Sequence, residues 1–128
     1  MTTPGRVLVI GVDPRRYADR WDPAPIMEAI ERGDRRFAEY GISHRTALVH
    51  PDENAERTIV ELLDSEPWAC VVIGGGVRNG EGLLEYFELI VNRVRQHAPQ
   101  AAIAFNTAPD DCADAARRWL GGPDPTGP

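Results

Sequence analysis

The stretch CVVIGGGVRNGEG, Cys70–Gly82, runs from a β-branched apolar segment into three consecutive glycines, an arginine and a polar turn. A short apolar run closed by glycine reads as a strand buried on both faces, and the apolar residues beyond Gly82 recur at helical spacing. The same strand-to-helix pattern is found upstream. RVLVIGV, residues 6–12, is a first strand closed by Asp13 and Pro14, and Ile26, Ile30, Phe37 and Tyr40 mark a helix that Gly41 ends. ISHRTALVH, residues 42–50, reads as an edge strand. Pro51 and Asp52 then open a helix with Ala55, Ile59, Leu62 and Leu63 on one side.

Downstream, the third helix is expected from about Gly80 to Ala98, and AAIAFN, residues 101–106, is the fourth strand. Thr107, Pro109, Asp110 and Asp111 supply the cap, first-turn proline and first-turn acids of a last helix that ends at Gly121. The order βαβαβαβα with short loops predicts an α/β fold: one doubly wound parallel sheet, strand order 2-1-3-4, of Rossmann-like or flavodoxin-like type. Residues 6–120 form this single domain, with residues 1–5 and the tail 121–128 expected to be disordered. On the third helix, Leu83, Leu84, Phe87, Ile90, Val91 and Val94 are expected to face inward, with Tyr86 flanking them and Leu89 on the far side. An apolar surface that wide predicts a second contact, a homodimer formed through this helix or through an edge strand.

Composition excludes several function classes. The formal net charge is −6, which argues against a nucleic-acid surface. With no apolar run of about 18 residues and no leader-like start, a cytoplasmic protein away from the membrane is expected. All 14 basic residues are arginine. Without lysine there is no Walker phosphate loop, pyridoxal Schiff base or lysine-dependent aldolase. Cys70 and Cys112 offer no metal spacing, and neither a metal nor a cofactor is expected.

In open α/β sheets ligands bind outside the carboxyl ends of the strands, where the strand order reverses. That edge receives Asp13 with Arg15 and Arg16, then His50, then Gly75, Gly76 and Arg78, then Asn106 and Thr107. The only serines, Ser43 and Ser65, fall at the opposite edge, which removes a serine triad. His50 is the one histidine at the ligand edge and forms, with Asp13, the candidate proton-transfer pair. Cys112 lies on a buried stripe among acids and is discounted as a nucleophile. The glycines follow the third strand rather than the first and do not complete G-x-G-x-x-G, so a conventional dinucleotide site is not expected. They are read as an anion seat: Gly75, Gly76 and Arg78 hold a phosphate or carboxylate, Asn106 and Thr107 orient the molecule, and the loop with Arg15 and Arg16 folds over it.

The segments VVIGGGVR, FELIVNRVRQHAP and AFNTAPDDCADAARRWL together resemble a group of small single-domain Rossmann-like bacterial proteins, over about residues 68–120. Arg78, Phe87, Asn92, Pro99, Phe105, Asn106, Thr107 and Trp119 stand in the matched positions, while Gly75 occupies a place that is commonly alanine. The resemblance implies the fold and a pocket built from Arg78, Asn106 and Thr107. It implies no particular reaction. Two functions are therefore expected in competition: binding of a small anionic metabolite, with cofactor-independent isomerase or lyase chemistry if the protein is an enzyme, or a non-catalytic protein-interaction or regulatory module.

Overall fold

The computed structural model describes residues 6–120, so the expectations for both ends lie outside the described residues. The strands are β1 (Val7–Gly11), β2 (His44–Leu48), β3 (Cys70–Ile73) and β4 (Ala102–Phe105). The helices are α1 (Ala24–Glu39), α2 (Ala55–Asp64), α3 (Gly75–Arg78), α4 (Leu84–His97) and α5 (Cys112–Arg117), with a 3-10 turn at Pro14–Tyr17. All four strands are parallel in the order β2-β1-β3-β4, as the alternation predicts. The inner strands β1 and β3 are apolar because both of their faces are covered. Leu8, Ile10, Val71 and Ile73 pack under α2 and α4, whereas Val7, Val9, Cys70 and Val72 pack under α1 and α5.

One staple fixes α1 to α5. Asp114 accepts from the Arg36 guanidinium at 2.6 Å and from the Tyr40 hydroxyl, and the Arg117 guanidinium lies 4.4 Å from the centre of the Tyr40 ring. The Tyr40 hydroxyl, and after it Arg36, hold the Asp114 carboxyl below its ordinary value of 3.8. A depressed folded-state value stabilises the fold above the unfolded value, and that contribution is lost as pH falls through the folded one. The urea midpoint is therefore expected to hold steady down to about pH 4 and to drop below it. Asp114→Asn should lower the midpoint at neutral pH and make the acid drop shallower; an equally steep drop in the variant would exclude this carboxylate as a contributor.

The region after β3 departs from expectation. A single-turn α3 comes directly after Gly74, and α4 begins only at Leu84. The chain folds back tightly between them: a Cβ on Gly80 would meet the Gly76 carbonyl oxygen at 2.5 Å and the Leu83 side chain at 2.4 Å. Leu83, Phe87, Ile90, Val91 and Val94 pack on the core as expected, but the stripe differs at its margins. Tyr86 is buried and donates to the Val49 carbonyl at 2.8 Å, while Leu84, expected inside, is 73% exposed. Leu89, expected on the far side, is half-buried against the core.

The last helix is also shorter than expected. Asp111 accepts from the Thr107 and Ala108 amides and from the Thr107 hydroxyl, which closes a turn ahead of the helix. Pro109 and Asp110 consequently lie in a loop, and this loop lies against Gly33 of α1. A Cβ at Gly33 would stand 3.0 Å from the Pro109 carbonyl oxygen and 3.1 Å from the Asp110 Cα. The residue that weakens α1 in isolation is thus the one that admits the loop.

Candidate functional site

The chain leaves β1 toward the α1 face and leaves β3 toward the α2 and α4 face, so a crevice opens between their carboxyl ends. A cleft of about 520 Å³ occupies it. Val9, Gly11, Thr46 and Leu48 line it from the sheet, and Ile26, Ile30, Asp34 and Phe37 from α1. Gly74–Gly76, Asn79 and Glu81 form the side at β3, with Asn106 and Thr107 beyond them. Tyr17, Arg20 and Trp21 close the rim; the Tyr17 and Trp21 rings are stacked, with centroids 5.7 Å apart and planes 13° apart.

Gly75, Gly76, Asn106 and Thr107 therefore come together in one cleft, as the sheet-edge rule places them. Gly74 donates to the Ile10 carbonyl, and Val77 and Arg78 both donate to the Gly74 carbonyl. Among the described residues the Gly75 and Gly76 amides have no protein acceptor. Asn106 and Thr107 are more committed than the sequence suggests. Asn106 is 5% exposed and donates its carboxamide N–H to the Ala108 carbonyl at 2.8 Å, while the Thr107 hydroxyl donates to Asp111.

Arg78 does not line the cleft. Its Nη1 donates to the Ile73 carbonyl at 2.9 Å and to Asn106 Oδ1 at 3.2 Å, and its Nη2 donates to the Asn106 carbonyl at 2.6 Å. The guanidinium also lies over the Phe105 ring, 5.3 Å from its centre. It fastens the ends of β3 and β4 together and sets the Asn106 carboxamide, acting as a positioning group rather than an open cation.

Asp13 and His50 are also placed together, but elsewhere. With Arg16, Asp52, Asn54 and Thr58 they line a second, smaller cleft of about 230 Å³. Arg15 clamps Asp13 through two guanidinium bonds of 2.9 Å and its own amide at 3.0 Å, and lines neither cleft. The Arg15 side chain holds the Asp13 carboxyl below its ordinary value, which makes it a weaker base. His50 Nδ1 is buried without a hydrogen-bond partner among the described residues, and its ring centroid is 6.1 Å from that of Tyr17.

Neither cysteine is poised to react. Burial pushes the Cys70 thiol up to about 12, and burial followed by the Asp111 and Asp34 charges pushes the Cys112 thiol up to about 12. Among the described residues no three His, Cys, Asp or Glu side chains gather in a metal-holding arrangement, and no helix is long and apolar enough to cross a membrane.

The sequence reading missed the α1 and β2 side of the larger cleft. Thr46 Oγ1 donates to Asp34 Oδ1 at 2.7 Å, and His44 Nε2 donates to the same oxygen at 2.9 Å. The His44 ring is stacked on Phe37, with centroids 4.0 Å apart. One signal was present: Asp34 stands four residues after Ile30 and three before Phe37, so an acid interrupts the inward stripe of α1. No family model, curated protein or solved structure matches the chain.

Proposed function

We propose that the protein binds a small anionic metabolite in the larger cleft, with the anionic group on the Gly75–Gly76 turn. The observation that carries this reading is the position of a 520 Å³ cleft at the strand-order reversal, with two unused backbone amides in its wall. Arg20 at the rim supplies a guanidinium, and the largely apolar remainder suits a metabolite with a carbon body. Isomerase or lyase chemistry by Asp13 and His50 has less support, since that pair lines the other cleft and Asp13 is held by Arg15. The competing reading, a protein-interaction module, drew on a wide apolar face of α4. With Tyr86 turned into the core, Leu84 is the main exposed part of that face.

Gly75 allows a direct test. A Cβ there meets Asn79 Nδ2, Asn106 Oδ1 and Arg78 Nη2 at 3.7–3.9 Å, which is ordinary contact. The Cβ itself is thus accommodated, and the rest of a leucine side chain is expected to fill the anion end of the cleft; Gly75→Leu is compared as protein whose circular dichroism spectrum matches the wild type. Wild-type protein, screened by thermal shift against phosphate- and carboxylate-bearing metabolites, should gain several degrees at concentrations well above Kd. The variant should gain none. A wild type that responds to no member of the panel, or a Gly75→Leu protein that responds as well as the wild type, refutes the site.

A further inference from the structure

The wall of the larger cleft holds more negative than positive charge, which an anionic ligand by itself does not explain. Asp34 and Glu81 line it against one guanidinium, that of Arg20. Of the other arginines near this edge, Arg15 is engaged with Asp13, Arg78 is engaged with the Ile73 and Asn106 oxygens, and Arg16 lines the smaller cleft.

Asp34 is built for a specific contact. Thr46 and His44 both donate to its Oδ1, and the stacking of His44 on Phe37 holds that donor in place. Its Oδ2 has no protein partner among the described residues, and 41% of the side chain remains accessible. The result is one oriented oxygen, between Ile30 and Phe37, in a mostly apolar wall. A carboxylate oxygen only accepts, and its strongest donor is one that carries positive charge. The stacked Tyr17 and Trp21 rings in the same lining add surfaces that attract cations. A hydroxyl would also donate to Asp34 but would gain nothing from these charges.

We propose that the ligand is zwitterionic: an acid bearing a primary ammonium, which donates to Asp34 Oδ2 while the anionic group occupies the Gly75–Gly76 turn. This rests on the reading of the cleft as an anion site and adds the second pole. Thr46, which fixes Asp34, pairs with Val9 of β1 from the β2 side, and the glycine turn follows β3 on the other side of β1. Across the strands the poles are about two spacings, roughly 10 Å, apart, and the turn stands three residues beyond Val72, the β3 partner of Val9, which lengthens the span to one suited to an extended carbon chain.

The test compares 6-aminohexanoate with hexanoate and 6-hydroxyhexanoate, by calorimetric titration of the wild type and of Asp34→Asn. The wild type is expected to bind the amino acid about tenfold or more tightly than either analogue. Asp34→Asn should lose that preference, and its affinity for hexanoate should not fall, since a negative charge that repels the carboxylate is removed. Equal affinity for all three compounds on the wild type overturns the proposal, as does equal affinity for the amino and hydroxy compounds. So does a preference that survives in Asp34→Asn. The wild-type comparison decides even where the variant folds poorly. Failure of hexanoate, inorganic phosphate and 6-aminohexanoate alike overturns the anion site itself, whereas hexanoate binding without an amine preference overturns only the second pole.

Discussion

Arg78→Ala is expected to destabilise the fold by about 2–3 kcal/mol, because one truncation removes three hydrogen bonds from a charged donor and leaves two strand-end carbonyls short of a partner. For a domain of this size a loss of that order lowers the melting temperature by roughly ten degrees. Urea unfolding should show the midpoint falling with an unchanged slope. Arg78→Lys should recover little, since one ammonium on a flexible stem does not reproduce a planar fork that bonds Ile73 and both oxygens of Asn106. An unchanged midpoint in Arg78→Ala would show that the fork is not what fastens β3 to β4. Any loss of ligand response that accompanies destabilisation in Arg78→Ala reflects displacement of Asn106, whereas in folded Gly75→Leu protein it reflects filling of the cleft.

A larger loss, about 3–5 kcal/mol, is expected for Trp68→Ala, against a total stability of roughly 5–15 kcal/mol for a domain. Trp68 has no exposed surface and is the largest of the fully buried side chains. Its indole N–H donates to the Leu62 carbonyl at 2.8 Å, and the Arg6 guanidinium stands 5.5 Å from its ring centre. It precedes β3, at the edge of the sheet opposite the clefts, so truncation opens a cavity under α2 and α4 without touching the candidate site. Trp68→Phe should cost much less, because the Leu62 carbonyl still accepts from the Ser65 hydroxyl and amide. Circular dichroism melts would rank the three proteins. Folded Trp68→Ala protein should bind ligand normally, and weakened binding by the folded fraction would mean that the two edges of the sheet are coupled.

The sheet was legible because β1, β3 and β4 are apolar without alternation, while β2 at one edge carries His44, Arg45 and Thr46 ahead of Ala47 and Leu48. Only a strand covered on both faces can afford the first pattern. The order of the elements then fixed the crevice, and with it the meeting of Gly75, Gly76, Asn106 and Thr107. What the spacing could not convey is the use to which a polar group is put. Arg78 beside three glycines has the look of an anion-binding residue, yet the Ile73 and Asn106 carbonyls are closer competitors for its protons. Tyr86, expected to flank the stripe, is buried and Leu84 is exposed because α4 begins only after a fold-back that needs a glycine at position 80, and a close approach to the Gly76 carbonyl leaves no trace in hydrophobic periodicity. Asp34 escaped notice since a rule about strand ends does not extend to the middle of a helix.

The 3-10 turn Pro14–Tyr17 stands between the two clefts. Pro14 and Tyr17 line the larger one and Arg16 the smaller, and the Tyr17 ring has Trp21 for one neighbour and His50 for another. The turn is thus a partition wall with a tenant on either side. A shift of the turn that widened one chamber would narrow the other, and the indole of Trp21, 41% exposed at the rim, puts a fluorophore beside the wall.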